Sequence, residues 1–277
     1  MSISYDLHSH SSASDGTFRP TELVQYAQQN GVNVLALTDH DITTGIEEAK
    51  QAASALDMTV IAGVEISVIW RKQTLHILGL NIDIDNSQLQ LGLSNIRQSR
   101  VERAEEIGRR LAKAGIEDTY AAAKAISNGD NVTRTHFAKI LIERGCAKDM
   151  KQVFKRFMVK GKPGFVAGEW AEMEHALSWI KNAGGTSVIA HPARYRLSAT
   201  KMRSMIEDFM DVGGEGIEVI SGSHSTLEAA NIAGLARRYN LLASRGSDFH
   251  DPAIPYINMQ TLPSLPSDLT PVWETWS

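Results

Sequence analysis

The chain has one cysteine in 277 residues, few aromatic residues (6%) and no apolar run long enough to cross a bilayer. A lone thiol excludes an internal disulfide framework and fits a reducing compartment, and Cys146 stands apart from any histidine or acid pattern, as expected of a packed thiol. A spanning helix needs about 18 or more consecutive apolar residues, so no membrane partner is expected. Positive charge is not in excess either: 28 Lys and Arg against 32 Asp and Glu leave a formal net charge of -4 at pH 7. That balance argues against a broad basic groove for long duplex nucleic acid, while leaving room for a small phosphorylated ligand. Residues 1–6 carry neither a basic region nor an apolar signal core, so a cytoplasmic location is the expectation. With 43% hydrophobic and 22% charged residues, the chain is of ordinary globular composition.

What the chain does have is histidine in unusual places. In an extended segment residues i and i+2 share a face, so His8 and His10 aim two imidazoles the same way, and Asp15 can return from the loop that follows. Taken alone, the pair also fits an exposed strand. The pattern recurs, however, where apolar runs stop. Val34-Leu35-Ala36-Leu37 precedes Thr38-Asp39-His40, residues 59–64 precede Glu65, and Thr74-Leu75-His76 opens another run. Val188-Ile189-Ala190 precedes His191-Pro192, and residues 241–247 precede Asp248-Phe249-His250. Six of the nine histidines fall at such places, which points to a shared polynuclear metal centre rather than scattered surface residues.

Amphipathic segments lie between these runs. Pro20 near the start and Gly31 just past the end punctuate one helix, and a second is expected over residues 45–56. Alternating strands and helices imply a parallel arrangement with helices outside, an α/β barrel. Trp70-Arg71-Lys72-Gln73 leaves no room for the dozen or so residues of a parallel crossover, so an antiparallel hairpin is expected there. Glu65 would end its first strand and His76 begin the return. Residues 87–163 read as an inserted helical subdomain, with residues 1–86 and 164–277 forming the barrel domain. The proline-rich C-terminal tail should wrap the barrel, with Trp273 and Trp276 as packing anchors.

Together, His8-x-His10, Asp15, Thr38-Asp39-His40, Glu65, His76, His191-Pro192 and Asp248-x-His250 resemble the PHP (polymerase and histidinol phosphatase) family over the whole chain. The resemblance implies a distorted (β/α)7 TIM-like barrel of PHP type with an inserted α-helical subdomain. It also implies two or three divalent metal ions at the C-terminal mouth, manganese first, with iron or zinc as alternatives. In that pattern His8, His10, Glu65 and Asp248 hold one ion, Glu65 bridges to a second held by His76 and His191, and Asp15, His40 and His250 hold a third. Spacing alone does not apportion these nine residues among ions.

The helical insertion and the segment His191-Pro192-Ala193-Arg194 further resemble the nucleoside 3',5'-bisphosphate phosphatases and the related 5'-to-3' exoribonucleases. The resemblance implies hydrolysis of the 3'-phosphate of a nucleoside 3',5'-bisphosphate, and degradation of short 5'-phosphorylated RNA. Direct attack by a metal-bridging hydroxide is expected, because clustered divalent ions lower the pKa of bound water to about 7 and no serine or cysteine nucleophile stands out. Asp248, His191 and Arg194 are the catalytic candidates; protonation of the leaving group is open between Asp248, a water and a histidine. A second phosphate is expected at Arg134 and His136, on a helix N-terminus capped by Thr133. Arg194 suits a bidentate phosphate grip, and Lys162, Ser221 and His224 complete the substrate-contact candidates. A solvated arginine, a structural ion pair, a surface hinge and a hydrogen-bonded loop histidine are the plain alternatives for Arg134, Arg194, Lys162 and His224. The partner implied is a small nucleotide or the 5' end of a short RNA, with no obligate protein partner. The competing functions are a histidinol-phosphate phosphatase, a catalytically silent PHP binding or regulatory module, and a carbon–nitrogen hydrolase.

Overall fold

In the computed structural model, residues 3–127, 132–168, 170–254 and 257–276 are described. Two compact units form, Met1–Leu93 with Ala171–Ser277, and Ser94–Trp170. The strands are β1 (Tyr5–Asp6), β2 (Val34–Leu37), β3 (Thr59–Trp70), β4 (Gln73–Leu80), β5 (Ala171–Glu172), β6 (Thr186–Ile189), β7 (Gly216–Ser221) and β8 (Leu242–Gly246). The helices are α1 (Pro20–Gln29), α2 (Ile46–Ala53), α3 (Ser87–Lys113), α4 (Thr119–Ala125), α5 (Arg134–Glu143), α6 (Met150–Val153), α7 (Met173–Asn182), α8 (Ala199–Asp211) and α9 (Thr226–Tyr239).

In the larger unit the strand order is β1-β2-β3-β4-β6-β7-β8, with β5 pairing on β3 off that path. The sheet closes on itself: the Leu7 N–H donates to the Arg245 carbonyl at 2.9 Å and the Asp248 N–H to the His8 carbonyl at 2.8 Å. All neighbours run parallel except β4, which is antiparallel to both β3 and β6. This one reversed strand is what distorts the (β/α) barrel. Strands of such a barrel are covered on both faces, which is why β6 and β7 are buried at every position. Leu7, Ala36, Leu78, Leu80, Val188, Ala190 and Val272 form one of its core clusters.

Local chemistry sets the helices. Helix α1 begins at Pro20, the Glu22 carboxylate accepts the Arg19 N–H at 2.9 Å, and Leu23, Val24 and Ala27 form its buried stripe. Helix α9 starts with a reciprocal cap: the Ser225 N–H donates to Glu228 Oε2 at 2.8 Å and the Glu228 N–H to Ser225 Oγ at 3.3 Å. The tail is anchored through its tryptophans. Trp273 stacks on Tyr5 with centroids 4.0 Å apart, and Trp276 Nε1 donates to Thr186 Oγ1 at 3.1 Å.

The hairpin departs from expectation. Strand β3 does not end at Glu65 but continues to Trp70, and β4 begins at Gln73, so both Glu65 and His76 lie within strands. The ladder continues because cross-strand pairs Ile66↔Ile77 and Val68↔Leu75 bury apolar side chains, and β5 adds a further edge at Val68↔Ala171. Arg71 (φ 46) and Lys72 (φ 70) are both left-handed, the conformation of a two-residue hairpin turn matched to strand twist.

The smaller unit has its own apolar core, in which Ile107, Leu111, Phe137, Leu141, Val153 and Met158 are buried. The division falls inside α3, and again between residues 170 and 171, because an unbroken helix presents no local seam. Among the described residues no helix is long and apolar enough to cross a membrane.

Lys72 occupies the left-handed region that glycine enters without steric cost. Lys72→Gly is therefore expected to stabilise the barrel unit by about 1 kcal/mol, raising its thermal midpoint by about 2 °C or more in a calorimetric scan.

Candidate metal centre

The C-terminal ends of the parallel strands open on one mouth, where barrels of this type place their chemistry. His8 and His10 follow β1, His40 follows β2, His191 follows β6, and Asp248 and His250 follow β8, while β3 and β4 carry Glu65 and His76 across the same mouth. Backbone bonds lock these segments together: the Asp41 N–H donates to the Glu65 carbonyl at 3.0 Å, and the Glu65 N–H to the Asp39 carbonyl at 3.3 Å.

Glu65 is fully buried and is the junction of the cluster. Its Oε1 stands 2.8 Å from His76 Nδ1 and 2.9 Å from His191 Nε2. Its Oε2 stands 3.0 Å from His40 Nδ1, 3.3 Å from His10 Nε2 and 3.5 Å from His8 Nε2. Five imidazoles therefore converge on one carboxylate. Asp15 joins from its loop, with Oδ1 3.3 Å from His250 Nε2 and Oδ2 3.9 Å from His40 Nε2.

Two observations test whether these residues fit divalent cations. The first is spacing: His8 Nε2 and His10 Nε2 are 3.1 Å apart, and Asp248 Oδ1 is 3.4 Å from each. Ligands about 2.1 Å from a tetrahedral ion lie about 3.4 Å from one another, so these atoms and Glu65 Oε2 trace the edges of one coordination shell. The second is satisfaction: Glu65 Oε2 and His40 Nδ1, 3.0 Å apart, have no hydrogen-bond partner outside the ligand cluster, and His10 Nδ1 is buried without one. Such groups are costly to bury unless something else satisfies them, and a cation does. Three ligand groups result: His8, His10, Glu65 and Asp248; His10, Asp15, His40 and His250; and His40, Glu65 and His76, with His191 beside the last. His10 and His40 each belong to two groups, whereas the family pattern shares only Glu65.

The cluster is held by groups that strand-end reasoning passes over. Asp39, buried, accepts from the Ser11 N–H at 2.8 Å and from the Ser11 and Ser14 hydroxyls at 2.6 Å each, shaping the loop from His10 to Asp15. Asp6 Oδ1 accepts the Ser247 N–H at 2.8 Å, tying β1 to the loop that carries Asp248. The Tyr195 hydroxyl accepts the His76 N–H at 2.8 Å. On β7, Glu218 contacts both His8 and His191. Asp39 was visible beside His40; Glu218, in mid-strand, carried no positional signal. Asp41 (φ 54), His191 (φ 29) and Asp248 (φ 57) all take positive φ. Such residues cost about 1–3 kcal/mol each and collect at functional sites.

Arg194 pairs with Asp248 at the mouth, its side chain 48% exposed. Ser221 is buried, with its hydroxyl 3.3 Å from that of Ser223. Both ring nitrogens of His224 meet backbone: Nε2 accepts the Ala193 N–H at 3.4 Å and Nδ1 lies 3.3 Å from the Val219 carbonyl. In the smaller unit, Arg134 is the first residue of α5 after the cap Thr133, and His136 turns Nδ1 back to accept the Thr133 N–H at 3.0 Å. Lys162 lies exposed in the turn after the π-helical Phe154–Met158. His175, on α7, belongs to no ligand group.

Burial alone would raise the Glu65 carboxyl, but the His40, His76 and His8 charges hold it well below the usual carboxylate range. Asp248 is likewise held down against its burial, chiefly by His8 and His10. Burial works to lower His10, yet its bonds to Asp248 and Glu65 raise it to about 10.

The PHP domain family matches residues 6–212. The chain is similar to a 3',5'-nucleoside bisphosphate phosphatase of Chromobacterium violaceum, 44% identical over 97% of this chain and 94% of that protein. It is also similar to a 5'-3' exoribonuclease of Haemophilus influenzae, 42% identical over 99% of each chain. A solved structure described as an amidohydrolase from Chromobacterium violaceum, with bound sulfate and no metal, superposes with a TM-score of 0.90 at 43% identity, covering 98% of this chain and 95% of that one.

With its pKa near 10, His10 carries a proton at neutral pH in the metal-free protein, and a cation must displace it. Manganese loading of chelator-treated protein is expected to release protons at pH 7, and apparent affinity to rise as pH rises toward 10. Titration calorimetry in two buffers of different ionisation enthalpy measures both; a buffer-independent heat would contradict it.

Proposed function

Since the chain belongs to the PHP domain family, we propose that it is a metal-dependent phosphoesterase that removes the 3'-phosphate of nucleoside 3',5'-bisphosphates. The same site would degrade short 5'-phosphorylated RNA from its 5' end. The observation that carries this reading is the Glu65 junction: two buried carboxylates and six imidazoles at one barrel mouth, with an accessible guanidinium, Arg194, beside them. The phosphatase and exoribonuclease relatives, each aligned over nearly the whole chain, support it.

His8, His10, Glu65 and Asp248 would hold one divalent ion, Glu65 with His76 and His191 a second, and Asp15, His40 and His250 a third. Ions held there supply positive charge for phosphoryl oxygens and lower the pKa of water near neutrality. Manganese is assigned, and the mixture of imidazole and carboxylate also suits iron or zinc. The chain's own residues do the positioning. Arg194 leaves Asp248 to grip phosphoryl oxygens with its planar fork, an exchange of one anion for another that keeps the guanidinium paired. Asp248, His191 and Arg194 would be the catalytic residues, with protonation of the leaving oxygen falling to Asp248, a water or a histidine.

We assign the second phosphate to Arg134 and His136. Arg134 opens α5 as an exposed residue within reach of the Arg100 charge. Arg103 is brought down to about 10 by burial and by the charges of Arg134 and Arg100. The N-terminus of α5 favours an anionic ligand, and Arg134 stands at it. Lys162 is a secondary contact in this assignment, as are Ser221 and His224 in the loop after β7. A nucleotide or short RNA 5' end as substrate fits a cytoplasmic enzyme.

Phosphate release from adenosine 3',5'-bisphosphate, adenosine monophosphate and histidinol phosphate, and release of 5'-mononucleotides from a short 5'-phosphorylated RNA, with manganese supplied, test the proposal. The bisphosphate is expected to exceed the monophosphate and histidinol phosphate by orders of magnitude, and chelation to abolish turnover. Equal rates, or amide hydrolysis without phosphate release, would overturn it. A charge-assisted contact is worth about 1.5–3 kcal/mol, so Arg134→Ala should lower kcat/KM for the bisphosphate by about 10- to 100-fold and leave the monophosphate nearly unchanged.

A further inference from the structure

Strand β7 carries a carboxylate in its middle. Glu218 is fully buried between Ile217 and Val219, both buried as well. A carboxylate in that position is strongly disfavoured unless both oxygens are occupied. They are: Oε1 accepts from His8 Nδ1 at 3.0 Å, and Oε2 accepts the backbone N–H of His191 at 2.5 Å. The other nitrogen of His8, Nε2, is the atom that faces His10, Glu65 and Asp248.

From this geometry we propose that Glu218 is the positioning residue of the metal centre. By accepting from Nδ1 it fixes His8 in the tautomer whose Nε2 lone pair points into the ligand cluster, and it makes that nitrogen a stronger donor. By holding the His191 N–H it stabilises a residue with φ 29 and sets its ring so that Nε2 lies 2.9 Å from Glu65 Oε1. One carboxylate on β7 thereby aligns ligands that follow β1 and β6. Neighbouring β8 accommodates the arrangement. A Cβ on Gly246 would stand 2.2 Å from the His8 Cβ and 2.8 Å from Glu218 Oε1, so only glycine leaves room for the pair.

The inference rests on the metal-centre reading, and a metal measurement made without substrate keeps it separable from the choice of phosphoester. Glu218→Gln keeps the shape but offers one acceptor oxygen where two donors require acceptors, so its amide N–H₂ must face His8 Nδ1–H or the His191 N–H. The variant is expected to retain the circular dichroism of the parent and to bind manganese about 10- to 100-fold more weakly in competition with a chelator. At saturating manganese it should recover kcat with an unchanged KM, which a merely structural defect would not do. Unchanged manganese affinity in a folded variant would overturn the proposal. A parent protein that takes up no manganese would overturn the metal-centre reading and this role with it. Independently of any variant, nitrogen-15 imidazole spectra of the zinc-loaded parent must show His8 protonated on Nδ1; a proton on Nε2 would sink the assignment.

Discussion

A buried carboxylate surrounded by imidazoles is the constraint on which the rest of this structure depends. Glu65 has no solvent exposure, and its two oxygens face five histidines drawn from after β1, after β2, from β4 and from after β6. An ionised carboxylate in that position is tolerable only if its charge is paired and its lone pairs are met by well-placed partners. The barrel supplies this match by closing on itself. The bonds between the ends of β1 and β8 bring Asp248 within 3.4 Å of His8 and His10. An open sheet would leave the first and last strands far apart.

Holding the ligands costs backbone strain, and the strain is localised. Asp41, His191 and Asp248 take positive φ at the mouth, and each is tied by a bond that leaves it little freedom. Asp41 Oδ1 accepts the Ser67 N–H at 2.9 Å, Glu218 holds the His191 N–H, and the Asp248 N–H reaches the His8 carbonyl. This is the pattern expected where packing over-determines a few residues to preorganise a site. The same logic explains the buried serines of the first loop, whose hydroxyls satisfy Asp39 instead of solvent.

Much of the site is legible in the sequence. His8-x-His10 announced itself through the two-residue period of extended backbone, and the other ligands through their positions where apolar runs stop. The cap at Thr133 and the start of α5 at Arg134 followed from local hydrogen-bonding chemistry. Other features had no local signal. Nothing near residue 65 states that β3 continues to Trp70, because the pairs Ile66↔Ile77 and Val68↔Leu75 exist only once the hairpin forms. Glu218 sits inside an apolar strand, where a lone carboxylate reads as an outward-facing residue until its partners from β1 and β6 are in place.

Residue types and their phase are written along the chain: which strands end in donors, which helices begin with caps, and that the centre is built from imidazole and carboxylate. These are short-range matters, set by periodicity, propensity and hydrogen bonds within a few residues. Chain closure sets which oxygen of Glu65 meets which histidine, that His10 and His40 each touch two ligand groups, and that Glu218 contacts two ligands at once. The reason is physical: those relations join residues as far apart as His8 and Asp248, and contacts across such separations acquire definite distances only when the barrel closes.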